Sequence, residues 1–543
     1  LFLILTTSGD FRMKFFSAAI AAITFSFANG NASNEGRKNF NQNNALGPSM
    51  WLFSPDGLSI YTPSGDLLKQ HRKKSLCEPY MSRGQWNDDC YFYSYASDGH
   101  KYVWAGSLAA DNRVMAFDID TGDYAGYHPT CSTPLNLEYQ SSRQEMWLRC
   151  AGKTNEYNGE IQVFSSNSLS SDYKLVNLNE GRRPYGRIAV HSSLGTYGYA
   201  SSYGQNHIIQ FDLSTKTVKA QYEIPEAFGF YDLTYSPFNE HLYVRTRVCC
   251  SCGFKGADLE ECGRYSGMDT QKVLVQTGPN ADTNEQVGAC SAMCEGTAAD
   301  TIGVAEFDTV SKTFVATHNI KDGTGHGADP VSSPDGKYVL FLPNDGGKFI
   351  RLIKPGKNGE ASTVAVDIPV NFEGAAAGKS VVSDMAFIQD EDRNILIIGA
   401  NSDNNLVLVD LDDNYKTKKL PLTNDLESTS SRDRKVEWAV GSNYVWIDGG
   451  DADEVYIVEI TAGIETARVK RTMTDVKTSN FIFANNYDSL RAEKAAFEKM
   501  MSSIETYKVK EVYKAEINEE EVSSLSPLNN KVKEVYKAEI NEE

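Results

Sequence analysis

One short strand phrase returns along most of this chain. Its copies read Val114-Met-Ala-Phe-Asp118, Ile161-Gln-Val-Phe-Ser165, Ile208-Ile-Gln-Phe-Asp212, Val304-Ala-Glu-Phe-Asp308, Ile350-Arg-Leu-Ile-Lys354, Leu406-Val-Leu-Val-Asp410 and Val455-Tyr-Ile-Val-Glu459. Measured at the fourth residue of each, the steps are 47, 47, 96, 46, 56 and 49. Small sheets repeated at roughly 40 to 55 residues cannot each bury an apolar face alone, and radial stacking solves that problem. The spacing predicts an all-β chain folded as a β-propeller of four-stranded blades.

In the third repeat, Tyr185–Val190 reads as the innermost strand, followed by Tyr197–Ser202, His207–Leu213 and Thr217–Ile224 at the rim. The sixth repeats the pattern with Ser383–Ile388, Asn394–Gly399, Asn405–Leu411 and Lys416–Leu420. Polar turns such as Asp120-Thr-Gly-Asp123 and Ser333-Pro-Asp-Gly336 stand where hairpins are needed. At the N-terminal end, strands near Trp51–Ser54, Leu58–Tyr61 and Leu67–His71 make a partial unit, and Ser479–Ala484 is one strand left over. Joining these pieces zips the ring shut and removes two exposed edges. Seven blades are complete in sequence, and the composite makes eight.

The step of 96 locates an insertion. The strand at His241–Arg247 runs into Cys249, Cys250, Cys252, Cys262, Cys290 and Cys294, and the pattern resumes at Ile302. A loop of this size in a compact domain is expected to be a stapled subdomain, here residues 249–300. Cys77 with Cys90 and Cys131 with Cys150 are plausible local pairs. Zinc is the competing use of closely spaced thiolates. Residues 13–32 favour disulfides, because they read as a secretory signal: Met13-Lys14, an apolar run to Ala28, then small residues. Leu1–Arg12 precede the first start methionine and read as upstream sequence.

The propeller is therefore expected over 33–486, in a secreted protein with no membrane span once the signal is removed. A net charge of −19 argues against a nucleic-acid partner or an anionic membrane. Over 487–543 the pattern becomes helical, with Leu490, Phe497, Met500, Met501, Ile504 and Tyr507 on one stripe. A charged tail follows, in which 508–520 is repeated at 531–543.

The phrases Ser332-Ser-Pro-Asp-Gly-Lys-Tyr-Val-Leu340, Tyr95-Ala-Ser-Asp-Gly-His-Lys-Tyr-Val103 and Asn206-His-Ile-Ile-Gln-Phe-Asp-Leu-Ser-Thr-Lys-Thr217 resemble the YVTN and WD-repeat-like propeller superfamily. The resemblance spans about residues 50 to 485 and implies the fold. It does not choose an activity, because such propellers include lactonases, quinoproteins, cytochrome-type reductases and binding scaffolds.

Aligning the starts of the innermost strands gives a polar column: Asn136, Arg187, Asp232, Asp329, Asp384 and Glu437. Converging carboxylates repel unless a cation or proton intervenes. Asp232, Asp329, Asp384 and Glu437 are therefore candidate oxygen ligands for Ca²⁺, with Asn136 and Arg187 lining the channel. The arrangement is similar to lactonase-type propellers, where the ion polarises a lactone or ester. A hydrated polar channel explains the same column. His326, flanked by glycines, is a weak candidate base. Three functions stay open: an extracellular scaffold binding a protein or glycan through one face or the Cys-rich insertion, a metal-dependent hydrolase, and a quinoprotein-like oxidoreductase.

Overall fold

The computed structural model describes residues 46–487 except 78–91, 108–112, 131–133, 151–159, 179–185, 202–206, 224–229, 247–302, 320–327, 344–348, 358, 370–383, 391, 400–404, 423–434, 450–452 and 478–479. Eight four-stranded antiparallel sheets form the blades. Their innermost strands are β4(Phe92–Ser97), β8(Pro134–Gln140), β12(Ile188–Ala189), β16(Phe230–Ser236), β20(Ala328–Ser332), β24(Asp384–Gln389), β28(Val436–Trp438) and β32(Asn480–Ala484). The eighth blade is the expected composite: β32 pairs with β1(Ser49–Ser54), followed outward by β2(Gly57–Tyr61) and β3(Leu67–Arg72). Strand β32 lies beside both β4 and β28, which closes the ring.

The third and sixth blades have the four-strand order expected of them. The innermost strand of the third shortens to the two residues of β12, while the sixth keeps its strands to within a residue or so. Middle strands are sandwiched between neighbouring blades and are apolar on both faces, as in Asn394-Ile-Leu-Ile-Ile-Gly399. Rim strands alternate, as in Thr217–Glu223.

The structure explains the recurring phrase. Its fourth residue packs on a large side chain in the second strand of the preceding blade. Phe117 meets Trp51 at 6.1 Å, Phe164 meets Trp104 at 5.2 Å, Phe211 meets Trp147 at 5.4 Å and Phe307 meets Tyr199 at 6.0 Å between ring centroids. In later blades the pair becomes Ile353 with Tyr243, Val409 with Leu340 and Val458 with Ile397, in shared cores. Each repeat thus supplies half of a seam core that only its neighbour completes.

A second device recurs in the outer hairpins. Asp212 Oδ1 accepts the N–H groups of Ser214 and Thr215 at 2.8 Å, turning the chain so that Lys216 adopts φ 58°. The Lys216 ammonium reaches back to Glu145 at 2.5 Å and lies 4.3 Å from the Trp147 ring centroid. One blade on, Lys312 (φ 63°) donates to the Tyr199 hydroxyl at 2.6 Å.

The wall between the fourth and fifth blades holds a buried polar cluster. Both Glu306 oxygens are engaged: His241 Nδ1 lies 2.6 Å from one, and His318 Nε2 lies 2.8 Å from the other. The Ser362 hydroxyl donates to Glu306 at 2.7 Å and its N–H at 3.0 Å. Burial pushes the Glu306 pKa up, but the two imidazoles and Ser362 overcome it and hold the carboxylate down at about 2.

Cys77 and Cys150 are fully buried, and neither is a free thiol. Cys90, Cys131 and the six cysteines of 249–294 lie outside the described residues, as do the signal at 13–32 and the helix expected from 488. Residues 486–543 form a second unit, of which Asn486 and Tyr487 are described.

Candidate functional site

The sequence-aligned column falls where expected, at the N-terminal ends of the innermost strands. Asn136 is the third residue of β8, Asp384 the first of β24, Glu437 the second of β28, and Arg187 immediately precedes β12. The backbones of Asp232 and Asp329 lie in β16 and β20; their side chains, and the whole of His326, lie outside the described residues.

The column works across the seams. An innermost strand leaves one row of N–H groups facing the axis with no ladder partner. Side chains of the preceding blade fill that row. Asn136 Oδ1 accepts the N–H of Ile188 at 3.0 Å, Asp384 Oδ2 that of Val436 at 3.1 Å, and Glu437 Oε1 that of Phe483 at 3.3 Å. Thr234 Oγ1 accepts from Ser332 at 3.3 Å. At Asn136, Asp384 and Glu437 the polar column residue is thus the acceptor for the next blade.

Two further groups belong to the site. Glu138, two residues beyond Asn136 and so on the same face of β8, accepts from the Val190 N–H and from Asn136, with Arg187 nearby. Burial raises its pKa to about 7 against those three influences. Burial also raises Glu437 to about 8, aided by the Asp384 charge and opposed by the Phe483 N–H. The phenol of Tyr95, on β4, is pushed far up by burial and by Asp384 and Glu437, with Arg187 opposing. Side chains from the first, third, sixth and seventh blades therefore act on one another at this end of the channel. Glu138 was legible from the period of two starting at Asn136; Tyr95 lies in the quoted phrase at 95–103 but carries no polar column signature.

Among the described residues, no group of three or more His, Cys, Asp or Glu side chains is arranged to hold a metal ion. The chain also leaves the fourth blade at Thr246 and returns at Gly303 on the channel-mouth face, because alternate strands run antiparallel. The Cys-rich segment is thus rooted beside the column.

No protein-family model and no curated protein matches the sequence. Solved structures do. The dihydro-heme d1 dehydrogenase NirN, in complex with DHE, is 12% identical, with 80% of this chain and 75% of that chain covered and a TM-score of 0.51. Hydrazine synthase of Kuenenia stuttgartiensis gives 13% identity, 70% and 80% coverage and a TM-score of 0.38. The Cps50 (Swd1) β-propeller domain of Myceliophteria thermophila gives 10%, 69%, 97% and 0.43. At 12% identity the likeness to NirN speaks for fold alone. The chain is an eight-bladed β-propeller whose channel side chains join blade to blade.

Proposed function

We propose that this protein is a secreted, disulfide-stabilised binding scaffold that engages a protein or glycan on its channel-mouth face. One observation carries the reading: Asn136, Asp384 and Glu437 each accept a main-chain N–H of the next blade. Such groups hold the ring's shape, which leaves recognition to the loops around the mouth. The segment 249–300, rooted on that face, would serve as the specificity element, with Cys77–Cys90 and Cys131–Cys150 as local disulfides. The test is a panel of glycans and receptor ectodomains presented to the purified protein with and without 249–300. Ligand capture that the deletion abolishes supports the reading. Equal capture removes the insertion's role, and no capture by either form overturns the scaffold.

The crowding of Asp384 with Glu437 favours a second reading, in which a Ca²⁺ ion bound with Asp232 and Asp329 relieves the repulsion and polarises a lactone or ester. Elemental analysis with the Asp329→Ala and Asp384→Ala variants decides it. Unchanged metal content and unchanged stability in chelator end that reading.

A further inference from the structure

The rim strands do not share charge evenly. Strand β3 reads Leu-Leu-Lys-Gln-His-Arg, β27(Lys416–Pro421) reads Lys-Thr-Lys-Lys-Leu-Pro and β31(Arg468–Met473) reads Arg-Val-Lys-Arg-Thr-Met. These are the outer edges of three adjacent blades, the eighth, sixth and seventh, and none contains an acid. The other five rim strands hold Lys174 and Lys219 against Glu223 and Asp367. Basic residues on an edge also deter strand-to-strand aggregation. That purpose would apply to all eight edges, yet three carry no Lys or Arg and two carry a single Lys each.

The local acids are shared between bases. Glu459 serves Arg468 at 2.5 Å and Lys470 at 3.4 Å, while Glu465 serves Lys416 at 3.1 Å and Lys418 at 3.8 Å. Arg471 pairs with Asp66 at 3.0 Å and Lys69 with Asp123 at 2.5 Å. Asp410 and Asp413 also act on Lys416, at the turn end of β27. Along their own lengths the three strands carry bases and no acid, and the side chains of Arg468, Lys470 and Arg471 are 66%, 45% and 45% exposed. This belt sits on a chain of net charge −19.

We propose that the rim of the sixth to eighth blades binds a linear acidic polysaccharide, its sulfate or carboxylate groups spaced along the three basic edges. The shape selects this partner. The rim is convex, so a flat anionic bilayer meets one edge at a time while the rest of the acidic molecule is repelled. A thin, flexible polyanion can follow all three edges. The site stands apart from the mouth face and does not depend on the function proposed there.

The test is retention of the full chain on heparin at 150 mM salt, with solution Kd values for heparin, desulfated heparin, single-stranded DNA and phosphatidylserine vesicles. The Lys419→Gln, Lys470→Gln, Arg471→Gln variant is compared with a Lys174→Gln, Lys219→Gln control, and melting curves verify that both fold. At about 1 kcal/mol per basic residue beside an anionic partner, the triple variant should lose at least about tenfold in heparin affinity. The control should lose none. No wild-type retention, or equal retention by the triple variant, overturns the proposal. So does binding to vesicles or DNA that matches heparin.

Discussion

Trp446 Nε1 donates to the carbonyl oxygen of Pro63 at 2.8 Å, bridging 383 residues of chain to hold the seventh blade to the eighth. The Trp446 ring also lies 5.5 Å from that of Tyr61. Trp446→Phe keeps most of the packing and removes the donor, so it should cost about 1 to 2 kcal/mol in urea unfolding. Deleting Asn480–Ala484 removes a whole strand of the eighth blade. Loss of a single cooperative transition is expected there.

Glu306 tests the wall of the fourth blade. Glu306→Ala strands His241, His318 and Ser362 without an acceptor and should destabilise by about 3 to 5 kcal/mol. Glu306→Gln restores shape but not charge and should fall between. Chemical denaturation with both variants checks the order.

Stability should depend on pH from two sides. Glu138 and Glu437 hold their protons up to about 7 and about 8 in the fold, against 4.5 unfolded. Unfolding then releases protons across that window, so stability falls as pH rises from about 4.5 to about 8. Glu306 has the opposite sign: folded at about 2 and unfolded at 4.5, it loses its contribution as pH drops between those values. Melting temperature against pH should peak on the acid side of neutrality. Glu437→Gln should flatten the alkaline limb and Glu306→Gln the acid limb.

Lys216 separates backbone from side-chain effects. Its φ of 58° suits glycine, while its ammonium holds Glu145. Lys216→Ala loses the contact and keeps the strain; Lys216→Gly loses the contact alone. The glycine variant should be more stable than the alanine variant by about 1 kcal/mol, measured by thermal unfolding.

Asn136→Ala leaves the Ile188 N–H without its acceptor. A cost of about 1 to 3 kcal/mol is expected, and hydrogen exchange at Ile188 should quicken while distant blades keep their protection.

Much of the ring is legible in the sequence. The spacing of Phe117, Phe164, Phe211 and Phe307 marks the blades because each must fill a seam, and a seam has one size. The composite blade followed from apolar strands at 51–61 and 479–484 with no other partner. The polar column was also visible, but as a lining. Its work as acceptor for the next blade depends on which N–H faces it across the seam, a relation between repeats 50 or so residues apart. Glu306 was hidden for a similar reason. It sits inside the phrase Val304–Asp308 at a position occupied elsewhere by Ala116, Val163 and Gln210, and the partners that explain a carboxylate there, His241, His318 and Ser362 from the next blade, come together only in the fold.

The eighth blade sets the order of manufacture. Met50 pairs with Phe483, so a strand made among the first waits for one made near the end of the propeller. Until that segment leaves the ribosome, the nascent arc carries two raw edges able to recruit other chains. Final closure therefore waits until nearly the whole propeller has been made, and synthesis is the stage at which the open arc is most exposed to misassembly. The same closure brings residues 49 and 484 side by side, so new termini could be cut into a rim hairpin while a short linker joins the old ones.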